Sequence, residues 1–193
     1  MARIIGCRDL HIAPLKEDKP GTAKPKYDVV TRIPSLISIS ISDTVEENKF
    51  YSDDIVEQTF SKTSGKEVTI ELGYITNELE ALITGKEVDS EGVLIQKSSD
   101  SPKEVALMFR APKSKGNAFR YLCLYKGTLS RTDSEYTTQE DSVESTNITL
   151  TGTFIPLASS GSMSATADSD DTNMDTIVKD WFTKVYGADY TTP

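Results

Sequence analysis

Strict two-residue alternation, repeated in short segments along the chain, is the feature that most limits what this sequence can become. In "SLISISIS" (35 to 42), Ile37, Ile39 and Ile41 fall in one register and Ser38, Ser40 and Ser42 in the other. Side chains of a β-strand point alternately to opposite faces, so this stretch is expected as a strand with an apolar face and an uncharged hydroxyl face. "EVTIEL" (67 to 72) repeats the pattern, with Val68, Ile70 and Leu72 against Thr69 and Glu71. "EVALMFRA" (104 to 111) aligns Val105, Leu107 and Phe109, and "FRYLCLYKGTLS" (119 to 130) is apolar on both faces near its centre, as a strand covered on two sides would be. "STNITLTGTFIPL" (145 to 157) closes the series at Pro156, which cannot donate to a central ladder. A mainly β fold follows, and because a one-residue slip exchanges the two faces, register decides what each face does.

The segments between the strands carry their own signals. "APKSKGNAF" (111 to 119) holds Gly116 and Asn117, which tolerate the left-handed backbone of a hairpin turn. "TNELEALITGK" (76 to 86) predicts one short helix, with Thr76 as N-cap, Glu78 and Glu80 near the positive end of the dipole, Leu79, Leu82 and Ile83 on one face and Gly85 as the stop. Two turns of helix survive only by packing on the sheet. Three stretches read as excursions: an extended arm at 14 to 28, an acidic stretch with a few apolar anchors at 42 to 66, and a Thr-rich acidic stretch at 130 to 145. The chain divides by composition into a β domain over 1–157, a Ser/Ala/Asp/Thr linker over 158–173 and a C-terminal helical arm over 174–193. In that arm, Met174, Ile177, Val178, Trp181, Phe182 and Val185 sit at helical spacing, giving a helix over about 174–186 that docks either on its own domain or on a neighbouring copy.

Chemistry is hard to assemble from these residues. His11 is the single histidine, in an apparent N-terminal strand or arm and far in sequence from Cys123, so no nucleophile and base pair is evident and no enzyme is expected. The two cysteines show no metal-ligand or disulfide spacing, and Cys123 falls in an apolar strand as a buried thiol would. "DSDDTNMD" (168 to 175) lacks the Gly and the Glu of a calcium loop, and "NIT" (147 to 149) reads as strand residues. The acidic pairs Asp53 with Asp54 and Glu140 with Asp141 read as solvated loop residues in a chain with 30 acids. No cofactor or metal is expected. No run approaches the length of a membrane span, and the start lacks the apolar stretch of a signal peptide, so a chain made in the cytoplasm is expected. A net charge of -9 and a pI near 4.7 oppose nonspecific adhesion to nucleic acid.

Read in order, "FYSDD" (50 to 54), Leu79 to Gly85, Gly92 to Leu94, Ala106 to Phe109, "LYKG" (124 to 127) and "ITLTGTFIPL" (148 to 157) resemble the major tail protein of long-tailed bacteriophages of Gram-positive hosts. The resemblance spans roughly residues 3 to 157, and it rests on the order of the pieces more than on any one of them. It implies a structural virion protein, made in the host cytoplasm, with a tail-tube β-sandwich or barrel and one flanking helix. Hexameric rings would stack into a tube whose lumen conducts DNA during genome ejection, without specific binding. The implied partners are further copies of the chain, the tape measure protein, the tail terminator and the distal tail proteins. Under this resemblance Ser38, Ser40 and Ser42 are candidates to face the lumen. Lys24, Tyr27, Phe50, Tyr51, Trp181 and Phe182 are candidates for contacts between subunits. The alternative is a monomeric β-sandwich module that recognises a glycan or a cell-surface protein, which would need exposed aromatics; Tyr121 and Tyr125 share a register but read as core.

Overall fold

The computed structural model describes residues 2–21, 24–52, 54–131, 147–171 and 174–190. Most of the acidic 130 to 145 stretch, with Glu140 and Asp141, lies outside the described residues, as does Asp53. The strands are β1 (Arg8–Glu17), β2 (Lys26–Tyr27), β3 (Thr31–Ile33), β4 (Leu36–Ser52) and β5 (Ile55–Leu72), followed by the helix α1 (Asn77–Thr84). Then come β6 (Glu87–Val88), β7 (Leu94–Ile95), β8 (Glu104–Pro112), β9 (Phe119–Arg131), β10 (Ile148–Phe154), β11 (Ser164–Asp168), α2 (Asp175–Asp180) and β12 (Asp189–Tyr190). A ten-stranded sheet runs β12-β2-β1-β8-β9-β10-β5-β4, with β3 added to β1 and β11 added to β9. Apart from β12 on β2, its pairings are antiparallel, and β6 with β7 makes a separate small hairpin.

The alternation read from the sequence sorts the side chains into two apolar clusters. One gathers Val68, Ile70 and Leu72 of β5, Val105, Leu107 and Phe109 of β8, Leu124 and Leu129 of β9, and Leu150 and Phe154 of β10. The other lies on the opposite side of the sheet, where Ala106, Met108, Tyr121, Cys123 and Tyr125 meet Trp181 and Val185 from the C-terminal segment. The centre of β9 is thus covered on two sides, which is why its sequence is apolar on both faces. Its further edge is shared: β11 pairs with Arg120 to Leu124, and β10 with Gly127 to Arg131.

The β8 to β9 connection is a hairpin, with Pro112 opposite Phe119 and Gly116 at φ 68°. In α1, Thr76 Oγ1 accepts the Leu79 N–H at 3.3 Å, and Gly85 closes the helix at φ 78°. Ile83 is buried in the first cluster, with Leu79 and Leu82 packed against it.

Four expectations are refined. Ile37 borders the same groove as Ile39 and Ile41 but is less covered than they are, because the register shifts between Leu36 and Ser38. Leu36 turns inward with Ile39 and Ile41, while Ile37 stands 48% exposed. This is what a β-bulge does to one residue of an alternating strand. The 42 to 66 excursion is strand rather than loop, since β4 and β5 continue as a ribbon to a turn at Asp54, whose φ is 65°. The C-terminal helix is shorter than its sequence period suggests: α2 stops at Asp180, and turns continue to Gly187 at φ 77°. Met174 makes no side-chain cap bond, and at the other end the Asp180 carbonyl accepts both the Thr183 hydroxyl at 2.8 Å and the Lys184 N–H at 3.2 Å. Residues 164 to 168, within the stretch whose composition reads as linker, form β11.

Candidate functional surfaces

The serine register of β4 belongs to a much wider face. Ser38, Ser40 and Ser42 lie opposite Glu71, Thr69 and Glu67 of β5. Those three pair in turn with Thr149, Thr151 and Thr153 of β10. Thr151 and Thr153 then meet Ser130 and Thr128 of β9, and Thr128 meets Glu104 of β8. Because the alternate residues of each strand are in the core, these side chains share the opposite face of the sheet. Glu67, Thr69, Thr128, Ser130, Thr151 and Thr153 line one shallow trough of about 300 Å³. Ser38 Oγ donates to Glu71 Oε2 at 2.9 Å. Hydroxyls and carboxylates make up this face among the described residues. Lys126, at its margin, is held by Asp18 at 3.0 Å and by Glu104 at 3.6 Å.

The sequence pointed to three serines of this wall and missed the rest. The signal was present, since "ITLTGTF" and "KGTLS" alternate hydroxyl and apolar residues just as "SLISISIS" does. What it lacked was the pairing that places them side by side.

Beyond the core, Val45 to Ser52 pair with Ile55 to Thr63 as a two-stranded ribbon. Phe50 and Tyr51 stand on it exposed, with Val45, Ile55, Val56 and Phe60. The Phe50 and Phe60 rings meet edge to face, with centroids 5.8 Å apart.

The C-terminal segment lies against its own subunit. Trp181 is buried, 5.8 Å from Tyr121 and stacked on Tyr186 at 5.9 Å. Phe182 stacks on His11 at 4.4 Å. Burial pushes the His11 pKa down, against the Asp9 carbonyl bonded to Nδ1 at 2.8 Å and the Asp9 charge, both of which raise it. Tyr27 is fully buried, and its hydroxyl donates to the Tyr125 carbonyl at 2.9 Å. Lys24 lines an open cleft with Trp181, Lys184 and Tyr186. Of the six residues expected at subunit contacts, then, Phe50 and Tyr51 present their rings to solvent, while Tyr27 and Trp181 spend theirs inside the subunit.

Two internal carboxylate clamps escaped sequence reading, because their partners are distant in the chain. Asp18 accepts the Ala158 and Ser159 N–H groups at 2.7 and 2.9 Å and pairs with Lys126. Burial would raise its pKa, but these donors hold it below the ordinary value. Glu80 of α1, 5% exposed, pairs with Lys86 at 2.7 Å and Arg131 at 3.0 Å, and its pKa is likewise held down against the opposing effect of burial.

Among the described residues no group of three or more His, Cys, Asp or Glu side chains is placed to hold a metal. No helix of the described residues is long and apolar enough to cross a membrane. The fold and its surfaces define a mainly β subunit with a hydroxyl and carboxylate sheet face and a projecting apolar ribbon. The chain belongs to the phage tail tube protein family, whose model matches residues 41–188. It is therefore a structural component of a bacteriophage tail, which assembles into a tube with other tail proteins. No match was found among curated proteins.

Proposed function

We infer that this subunit forms hexameric rings that stack into the tail tube, and that the face bearing Ser38, Ser40 and Ser42 lines a lumen through which DNA passes during ejection. The observation that carries the reading is the composition of that face: hydroxyls and the carboxylates of Glu67, Glu71 and Glu104 over five adjoining strands. A conduit has to let its cargo slide. Arginine or lysine on the wall would make charge-assisted bonds to phosphates, each a barrier to movement, whereas carboxylates repel the backbone and hydroxyls offer it no net charge. Strands joined around a ring would also remove the free edge of β4, which otherwise stands open to aggregation. The same lumen holds the tape measure protein before ejection, and the tube ends meet the tail terminator and distal tail proteins.

The test is to replace Ser38, Ser40 and Ser42 together by lysine. Tubes are expected at the normal yield by negative-stain electron microscopy, with DNA release from assembled particles slowed. Release at the normal rate would remove this strand from the lumen wall.

A further inference from the structure

Two surfaces leave apolar groups facing water with no cover among the described residues. The first is the ribbon of β4 and β5, where Phe50, Tyr51, Ile55, Val56 and Phe60 are each 45 to 70% exposed. A two-stranded ribbon is marginally stable by itself, so this one gains from a partner. The second is a groove of about 530 Å³ between the N-terminal segment and the start of β4, lined by Ile4, Cys7, Ile37, Ile39, Phe109 and Leu122. The bulge at Ile37 leaves that side chain half exposed on the groove wall beside Ile39. The opposite wall is fixed, because the Ile5 N–H donates to the Pro112 carbonyl at 2.9 Å and the Ser114 N–H to the Arg3 carbonyl at 2.7 Å.

The two surfaces are opposite in charge. Residues 44 to 64 hold Glu46, Glu47, Asp53, Asp54 and Glu57 against Lys49 and Lys62, five acids less two bases, or a net charge of -3. Arg120 lines the groove, and Lys113 and Lys115 follow in the turn bonded to Arg3. Asp168 and Asp170 meet Lys113, and Asp168 meets Arg120. Arg3 and Lys115 have no ion pair among the described residues, so their charges are not spent inside the subunit.

We propose that this groove receives the β4 and β5 ribbon of a second copy, with the ribbon's aromatic side chains against Ile4, Ile37 and Ile39 and its carboxylates beside Arg3 and Lys115. The proposal rests on the tube reading and names the receiving surface. Apolar contact supplies the adhesion, and the opposed charges select the partner and its direction. Ribbon and groove are different surfaces, so each copy that offers one still has the other free, and the contact repeats instead of closing into a pair.

Cys7 lies in the groove and Cys123 is buried, so the chain carries its own reporter. Single cysteines placed in the ribbon (Phe50→Cys, Tyr51→Cys, Ile55→Cys, Phe60→Cys) are assembled, oxidised with copper phenanthroline and run on non-reducing gels. At least one is expected to give a ladder of dimers, trimers and larger species that disappears when Cys7→Ser is added. Tubes visible by electron microscopy with no Cys7-dependent ladder at any of the four positions would overturn the docking proposal and leave the tube reading intact. A chain that stays monomeric at every concentration by light scattering would overturn both. Ile37→Asp, at an exposed position, is expected to melt like the parent and to raise the concentration needed for assembly at least tenfold; an unchanged assembly threshold would also overturn the docking.

Discussion

At Gly127 a side chain is absent because the Phe154 ring fills its place: a β-carbon there would overlap the ring directly. Gly127→Val is expected to displace Phe154 and cost about 1–3 kcal/mol, as overpacking of a filled core does, read as a fall in the denaturant midpoint at unchanged slope. Asp18 is the second residue on which much depends, since it joins the end of β1 to residues 158 and 159. Its folded pKa lies below the unfolded one, so its contribution is complete above the unfolded value of about 3.9 and is lost as pH falls through the folded value. Asp18→Asn should therefore cost about 3 kcal/mol at pH 7 by leaving Lys126 and two N–H groups poorly paired. The difference from the parent should narrow in melts at pH 3, and a gap that is equal at both values would refute the assignment. Neither residue is conspicuous in the sequence. One is a glycine in a strand and the other an aspartate in a Lys-rich arm, and each matters through a partner remote in the chain.

At the level of elements, α1 shows how local signals and packing divide the work. Thr76 and Gly85 mark its ends in the sequence and cap it in the fold. Thr76→Ala is expected to cost about 1 kcal/mol, the usual loss of an N-cap bond. Gly85→Ala should cost more, because the backbone is left-handed there and a β-carbon would run into the Ser101 carbonyl; thermal melts of the two variants give the order. The strand signals were equally legible in Val68, Ile70 and Leu72, where strict alternation met a sheet covered on one side. They did not show that Ile37 would stay half exposed, because a bulge is a property of a pair of strands and one strand's sequence does not contain it. The ribbon was read as an excursion for a similar reason. Its acids and scattered apolar residues look like a loop, and its pairing partner is the same polar stretch returning.

At the level of the whole molecule, the C-terminal segment is a cover. Trp181 and Val185 close the second cluster over Tyr121 and Cys123. Burial pushes the Cys123 thiol far up, out of the range in which thiolate forms. Val185→Asp is expected to loosen that cover: the emission of Trp181, the chain's one tryptophan, should shift to the red, and Cys123 should begin to react with a thiol reagent. A thiol that stays silent while the emission shifts would show that the strands alone protect it. The sequence by itself determined the β class, the short capped helix, the inward residues of each regular strand, the hydroxyl register of β4 and the poverty of reactive groups. All of these follow from side-chain period and composition, which are local. Tertiary structure alone decided that five strands join their hydroxyls and carboxylates into one wall, that Ile37 stays half exposed in a groove, that Asp18 and Glu80 become buried clamps, and that Trp181 packs on its own subunit. Those outcomes depend on which strand lies beside which, and in what register. That choice is made by the burial of apolar surface over the whole chain, and no short stretch of sequence holds it.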